Sequence, residues 1–459
     1  MPRLCPAVSR LAALLLALLA VLALTARPVA AQSILRDAET EKLFADMAAP
    51  LVKAAGLEPA NVDVVLVNDP SVNAFVAGGQ AVYVNSGLIN EAASANEVQG
   101  VIAHELGHVT GGHAVFNPGA QSATGISLLS LLLGAAAAAA GAGDAAMGVL
   151  MAGQQAAMGK FLAYNRSQEA SADAAGAQYL STAGITGRGS IEFFKKLQNL
   201  EYRYGYQRSQ VDEFASSHPM TGDRIATLQD TYEKDPAWGR PSDPAIEKRF
   251  ARIKAKLFGF LAEPEDTLRI YPPSDVSIPA RYARAYAYHK ESLLPQALGE
   301  AEALLALEPE NPYFLELKGQ ILLEAGKPAE ALSALRKATD LTSNEPLIAT
   351  LFGHALIASE DSAQYAEAEK VLKAAVARDR RNPFAWYQLG VVYAANGDLA
   401  RAQLASAEQQ SLSGNMAQAL HSARMAEAAL PQGSADWLRA QDIALAAQAE
   451  LERRKKSGK

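Results

Sequence analysis

Apolar positions along the chain follow two rhythms, and the change between them near residue 279 divides it. In the first part, Leu43, Phe44, Met47 and Leu51 recur at helical spacing within 32–60. Val62, Val64, Val65 and Val67 fill the segment from Asn61 to Asn68 and predict a strand. The run 71–77, the pair Gly78-Gly79 and the run 80–88 predict strand, turn, strand and the start of a helix. A helix from about Glu91 to Thr110 follows, then helices near Ala156–Ala183 and Gly189–Tyr204. Ser216 to Ile225 reads as a loop entering one more helix, and the proline- and charge-rich stretch 234–278 as a linker.

After Pro279 the chain becomes alanine-rich and periodic. Asn311-Pro312, Glu345-Pro346 and Asn382-Pro383 recur, with the prolines 34 and 37 residues apart. Gly319, Gly353 and Gly390 keep the same steps, and Gly326-Lys327-Pro328 and Gly397-Asp398 mark turns between paired helices. A period near 34 with Pro, Gly and small packing residues is the tetratricopeptide pattern. It predicts three clear units between 279 and 413 and a degenerate helical end after Gly414. Stacked helix pairs make a concave surface suited to protein segments; a helical bundle without a binding role is the plainer alternative.

Two segments bear on the membrane. Arg3 and Arg10 precede an apolar core, Leu11 to Ala26, and Val29-Ala30-Ala31 fits a small-residue cleavage site, so 1–31 reads as a signal peptide. The core is short for a span of roughly 20 residues, which disfavours an uncleaved anchor. Removal of three arginines would take the net charge from −7 to −10. From Ala114 to Gly143 there is no charged residue. Either this run is an Ala-rich helical hairpin packed on the catalytic core, or it touches a membrane or a partner.

Composition narrows the chemistry. The negative balance, 49 acidic against 42 basic side chains, and the lack of a basic groove argue against a nucleic-acid partner. Cys5, the only cysteine, lies in the signal, so the exported chain has no thiol for catalysis, metal binding or disulfides.

The strongest chemical signal is His104-Glu105-Leu106-Gly107-His108. Four residues of helix turn about 400°, so the two histidines share a face, where imidazoles can grip one metal ion while Glu105 reaches a water beside it. A catalytic zinc site wants a third protein ligand. Gly111 stands where the metzincin rule puts a glycine, but Ala114 replaces its histidine; His113 comes one residue early and reads as a helix-end or surface residue. Glu169 and Asp173, four apart on one helix face among Ala170, Ala172, Ala174 and Ala175, offer an alternative. Glu169 can be the third ligand and Asp173 can hold a ligand histidine's tautomer, unless both are merely solvated carboxylates.

Asn73-Ala74-Phe75 with Gly78-Gly79, His104-Glu105-x-x-His108, Glu169-x-x-x-Asp173 and His218-Pro219 with Arg224 together resemble the CAAX-prenyl-protease-like family of zinc metallopeptidases (peptidase family forty-eight). With the signal and the repeats, the resemblance extends to about residue 450 and is strongest at 71–112 and 165–225. It implies an α+β fold: a mostly helical, zincin-type metallopeptidase domain with a small β-sheet, then an all-α tetratricopeptide solenoid. The expected divisions are signal peptide 1–31, metallopeptidase domain 32–233, linker 234–278, repeat domain 279–450 and basic tail 451–459.

The resemblance also implies roles. His104, His108 and Glu169 would bind one Zn²⁺ per chain, and Glu105 would be the general base. His218 would stabilise the oxyanion or take the fourth zinc position and hold the enzyme shut, and Arg224 would bind a substrate main chain or carboxylate. Asn73, Phe75, Gly78 and Gly79 would form an edge strand that pairs with an extended peptide, the alternative being an ordinary interior strand. The protein would be an endopeptidase of the periplasm, with association at the outer membrane as the alternative setting. Its substrates would be unfolded or stalled envelope proteins, and its repeats would hold clients or the β-barrel assembly machinery. A chaperone with a latent protease and a membrane-embedded protease using 114–143 are the competing expectations.

Overall fold

The computed structural model describes residues 33–113, 124, 126–133, 143–204, 218 and 221–457. The expected signal peptide, with Cys5, and most of 114–143 lie outside these residues.

Four strands form one mixed sheet: β1 (Ser33–Leu35), β2 (Val64–Asn68), β3 (Ala74–Ala77) and β4 (Ala81–Asn85), in the order β1-β2-β4-β3. β2 and β4 are parallel, while β1 and β3 pair antiparallel at the two edges. Phe75 lies opposite Tyr83 with the rings stacked at 5.1 Å. The β3–β4 turn uses positive φ at Gly78 and Gly79, +64° and +102°, a region that glycine enters without a Cβ clash. β3 is thus an edge strand among the described residues, not an interior one.

Helices cover the sheet. α1 (Ala38–Ala54) turns Leu43, Phe44 and Met47 inward. α2 (Ser86–Glu91) leads to α3 (Ala95–Thr110), which carries the His-Glu-x-x-His sequence. α3 starts at a capping arrangement: Ser94 Oγ accepts from the Glu97 N–H, and Glu97 Oε2 accepts from the Ala93 N–H. α4 (126–133), α5 (Gly143–Ala183), α6 (Arg188–Tyr204) and α7 (Gly222–Glu233) follow. Val82, Val84, Ile102, Leu106, Phe193 and Phe194 close one core. The stretch read as a linker contains two helices, α8 (Pro244–Leu261) and α9 (Pro264–Ile270), and α8 adds Phe250, Ile253 and Leu257 to that same core.

Helix pairs fill 278–457: Ile278–Lys290 with Leu294–Leu307, Pro312–Glu324 with Pro328–Leu341, Pro346–Ala358 with Tyr365–Arg378, Pro383–Ala395 with Leu399–Leu412, and Met416–Ala429 with Ala435–Ser457. Each recurring proline sits in the first helical turn behind a capping side chain, Asn311, Glu345 or Asn382. Four pairs precede Gly414 rather than the expected three. The first escapes the sequence pattern because buried Ala285 stands where later pairs have glycine. Gly319 and Gly353 lie against Leu335 and Leu372, which leave no room for a Cβ.

The two parts meet through buried charge. Glu39, fully buried at the start of α1, lies 2.5 Å from Arg252 and 3.5 Å from Lys256 of α8, and accepts from the Tyr282 hydroxyl of the first repeat helix at 3.0 Å.

Candidate metal centre

Small residues bring the site together. Gly107 of α3 sits on Ala172 of α5, where a Cβ would lie 2.6 Å from the Ala172 carbonyl oxygen. One turn further along α5, Gly176 packs on Ala103, where a Cβ would lie 3.0 Å from backbone atoms. At this separation Glu169 and Asp173 reach the two histidines.

Four residues converge: His104, His108, Glu169 and His218 each offer one donor atom, all within 4.8 Å of one another, and all four are buried. His104 Nε2 and His108 Nε2 are 3.1 Å apart. Glu169 lies 3.4 Å from each of these nitrogens, and His218 Nδ1 lies 3.3 Å from His104 Nε2 and 3.1 Å from both Glu169 oxygens. Ligand atoms around a tetrahedral zinc stand roughly 3.3 Å apart, given Zn–N bonds of about 2.0–2.1 Å. The nitrogen and carboxylate donors, without thiolate, suit a catalytic site of the two-histidine, one-glutamate type. Glu105 is fully buried beside the cluster, and neither carboxylate oxygen has a hydrogen-bond partner in the protein; burial pushes its pKa up. An orphaned carboxyl next to converging donors is what a site completed by metal and water leaves when only the protein atoms are counted.

A second layer surrounds the donors. His104 Nδ1 stands 2.9 Å from Asp173 Oδ1. Burial alone would lower the His104 pKa, but Asp173 and Glu169 outweigh it and push it up to about 10. His108, whose burial prevails, is pushed down to about 4. Burial would raise the Glu169 pKa, yet the three histidines hold it well below the usual carboxylate range. Arg224 donates through Nε and Nη2 to Asp173 at 2.7 and 2.8 Å and lies 3.1 Å from Glu169. Its guanidinium thus binds the carboxylates of Asp173 and Glu169.

His113 is the residue that sequence reasoning missed. It does follow the helix end, but Gly112, at φ +65°, ends α3 in a Schellman motif: its N–H bonds to the Val109 carbonyl and the His113 N–H to the His108 carbonyl. The chain folds back, and His113 Nδ1 comes 2.8 Å from His108 Nδ1, with Nε2 3.3 Å from Ser171 Oγ. Gly111-Gly112 was the available signal. Asn73 is buried, with its carbonyl accepting from the Asn85 N–H, and Phe75, Gly78 and Gly79 lie on the β3 edge and its turn. They are not part of the donor cluster.

A family model described as peptidase family M48 matches residues 35–232, the span that holds every donor of the cluster. Residues 35–232 form a peptidase family M48 domain. The M48 domain makes the chain a metallopeptidase. Models described as tetratricopeptide repeat and as anaphase-promoting complex, cyclosome, subunit 3 match 357–415 and 290–374, so a repeat region follows the M48 domain. The chain is similar to the beta-barrel assembly-enhancing proteases of Yersinia pestis and Escherichia coli K12. It is 26% identical to the first over 82% of this chain and 76% of that protein, and 27% identical to the second over 80% and 75%. The metalloprotease LoiP of Escherichia coli K12 is 34% identical over 39% of this chain and 65% of that protein.

Proposed function

We propose that the chain is an exported zinc metalloendopeptidase of the periplasm that clears unfolded or stalled envelope proteins during outer-membrane protein assembly. The convergence of His104, His108 and Glu169 beside buried Glu105 carries this reading. His104, His108 and Glu169 hold one zinc ion. A bound zinc ion supplies Lewis acidity at a water and at the scissile carbonyl. Glu105 takes the proton of the attacking water and delivers it to the leaving nitrogen; its raised pKa suits both halves of that transfer. Asp173 fixes the tautomer of His104, and Arg224 braces Glu169 and Asp173. The edge strand β3 pairs with an extended client through main-chain hydrogen bonds, which asks little of client sequence.

The envelope setting draws on two supports: the signal-like segment 1–31 and similarity to proteins named beta-barrel assembly-enhancing protease. The repeats hold clients or the β-barrel assembly machinery, a role to which stacked helix pairs are suited.

A second reading, a repeat-based chaperone or assembly factor with a latent protease, is favoured by one observation. His218 Nδ1 sits among the zinc donors, and its Nε2 lies 3.6 Å from Glu105, so the water's place is capped. A membrane-embedded protease has less support, since no helix among the described residues is long and apolar enough to cross a membrane. The test is rescue of a deletion strain. Glu105→Gln keeps the donor set and removes the base. Failure of this variant to restore outer-membrane protein levels supports the protease, whereas full rescue gives priority to the chaperone.

A further inference from the structure

Around α4 the packing of large and small residues is inverted. Leu128, Leu129, Leu131, Leu132 and Leu133 are 53–60% exposed. The buried residue is Ser130, which packs on Gly153 of α5 so closely that a Cβ there would lie 2.0 Å from the serine Cβ. Ala157, one turn further on α5, is buried too. On the same stretch Met147, Met151, Met158 and Leu162 are exposed, and at about 100° per residue they fall within roughly 60° of arc. A hairpin built for water would bury its leucines and expose its serine. Small residues at the crossing and large apolar ones outside are the arrangement of helices packed within an apolar medium.

The surrounding chemistry identifies that medium. Between His113 and Asp144 the sequence has no charge. The next charged side chains along α5 are the exposed Lys160 and Arg166, with half-buried Tyr164 between them. They form a cationic and aromatic belt at the end of the methionine stripe, as residues at a bilayer interface do. The leucines of α4 span roughly 200° of its circumference at about 100° per residue, wider than the stripe of about 100° that faces a single partner. This favours a surrounding phase over a second copy of the chain.

We propose that α4 and the first half of α5 dip into one leaflet of a phospholipid bilayer, with Lys160 and Arg166 at anionic headgroups. The hairpin lies in the interface and does not cross it, since no described helix is long and apolar enough to do so. Leu162 precedes Glu169 by seven residues on α5, about 10 Å at 1.5 Å per residue. The donor cluster is therefore held just above the membrane surface, where it meets chains emerging from or entering the bilayer. The inference stands on the packing of this hairpin and does not depend on the protease assignment.

Flotation of the full processed chain with vesicles of phosphatidylethanolamine and phosphatidylglycerol tests it. The protein floats with the vesicles. Leu128→Ser combined with Leu132→Ser lowers partitioning on the order of a hundredfold, while metal content and thermal midpoint stay as in the wild type, which shows that the fold is intact. Lys160→Gln with Arg166→Gln weakens binding and removes its salt dependence. Wild-type protein that stays at the bottom of the gradient overturns the proposal, as does a double-serine variant that floats equally well. A lipid-free dimer that the double-serine change dissociates overturns it too, by assigning the face to a second copy.

Discussion

His218 Nδ1 stands 3.3 Å from His104 Nε2, although 114 residues separate them in sequence. Its ring joins a four-donor cluster, and on the proposed reading it would take the corner that a hydrolytic site keeps open for water. With that corner capped, His218→Ala should raise hydrolysis of a denatured protein roughly tenfold, the effect of about 1.4 kcal/mol of relieved occupancy. A fall of similar size would assign His218 to oxyanion stabilisation instead.

On the proposed reading, Arg224 would contribute to metal binding through the carboxylates it touches. Arg224→Ala leaves Asp173 and Glu169 without their shared cation, and should weaken zinc binding about 10- to 100-fold, as loss of an outer partner does. Arg224→Lys rescues little, because an ammonium cannot reproduce the two-pronged contact with Asp173. Titration against a chelating dye measures both.

The two histidines proposed as ligands have different supports. His104 faces a carboxylate and His108 an imidazole, His113. His113→Ala should weaken zinc affinity by the same about 10- to 100-fold range as Arg224→Ala, whereas a surface histidine would change nothing.

Close helix packing is a precondition of the site. Gly107→Ala places a methyl against the Ala172 backbone, so α3 and α5 must separate. A loss of about 1–3 kcal/mol in stability is expected, together with loss of bound zinc. Thermal unfolding and metal analysis of the same sample report the two effects.

Helical spacing paired the residues within each helix, and the family resemblance joined those pairs into one expected centre. His104 with His108, and Glu169 with Asp173, each share a face within one helix, so periodicity alone aligns them. What brings those pairs together is contact between small residues, Gly107 on Ala172 and Gly176 on Ala103, which spacing within one helix does not encode. The helix-end place of His113 was legible, but its contact with His108 follows from a left-handed Gly112 and not from helical period. The contact of Arg224 with Asp173 is not encoded by helical spacing, because the two lie some 50 residues apart. The helices at 244–270 were hidden by prolines that start them: Pro244 and Pro264 each occupy a first turn.

Glu316, half-buried on the second repeat pair, should make stability fall with rising pH. Burial pushes its pKa up from 4.5 to about 8, with Lys256 opposing. Between those values the folded chain holds a proton that the unfolded chain has released. The contribution is therefore complete below 4.5 and is lost as pH rises through 8. The slope is at most about 1.4 kcal/mol per pH unit. Glu316→Gln, neutral throughout, should flatten the curve of unfolding midpoint against pH.

The most direct test of the central claim is digestion of a denatured porin by zinc-loaded wild-type protein and by Glu105→Gln with equal bound zinc. Cleavage by the wild type, with a loss of at least about 100-fold in the variant, is the predicted result. Equal cleavage by both, or none by the wild type and by a His218→Ala form, would contradict it.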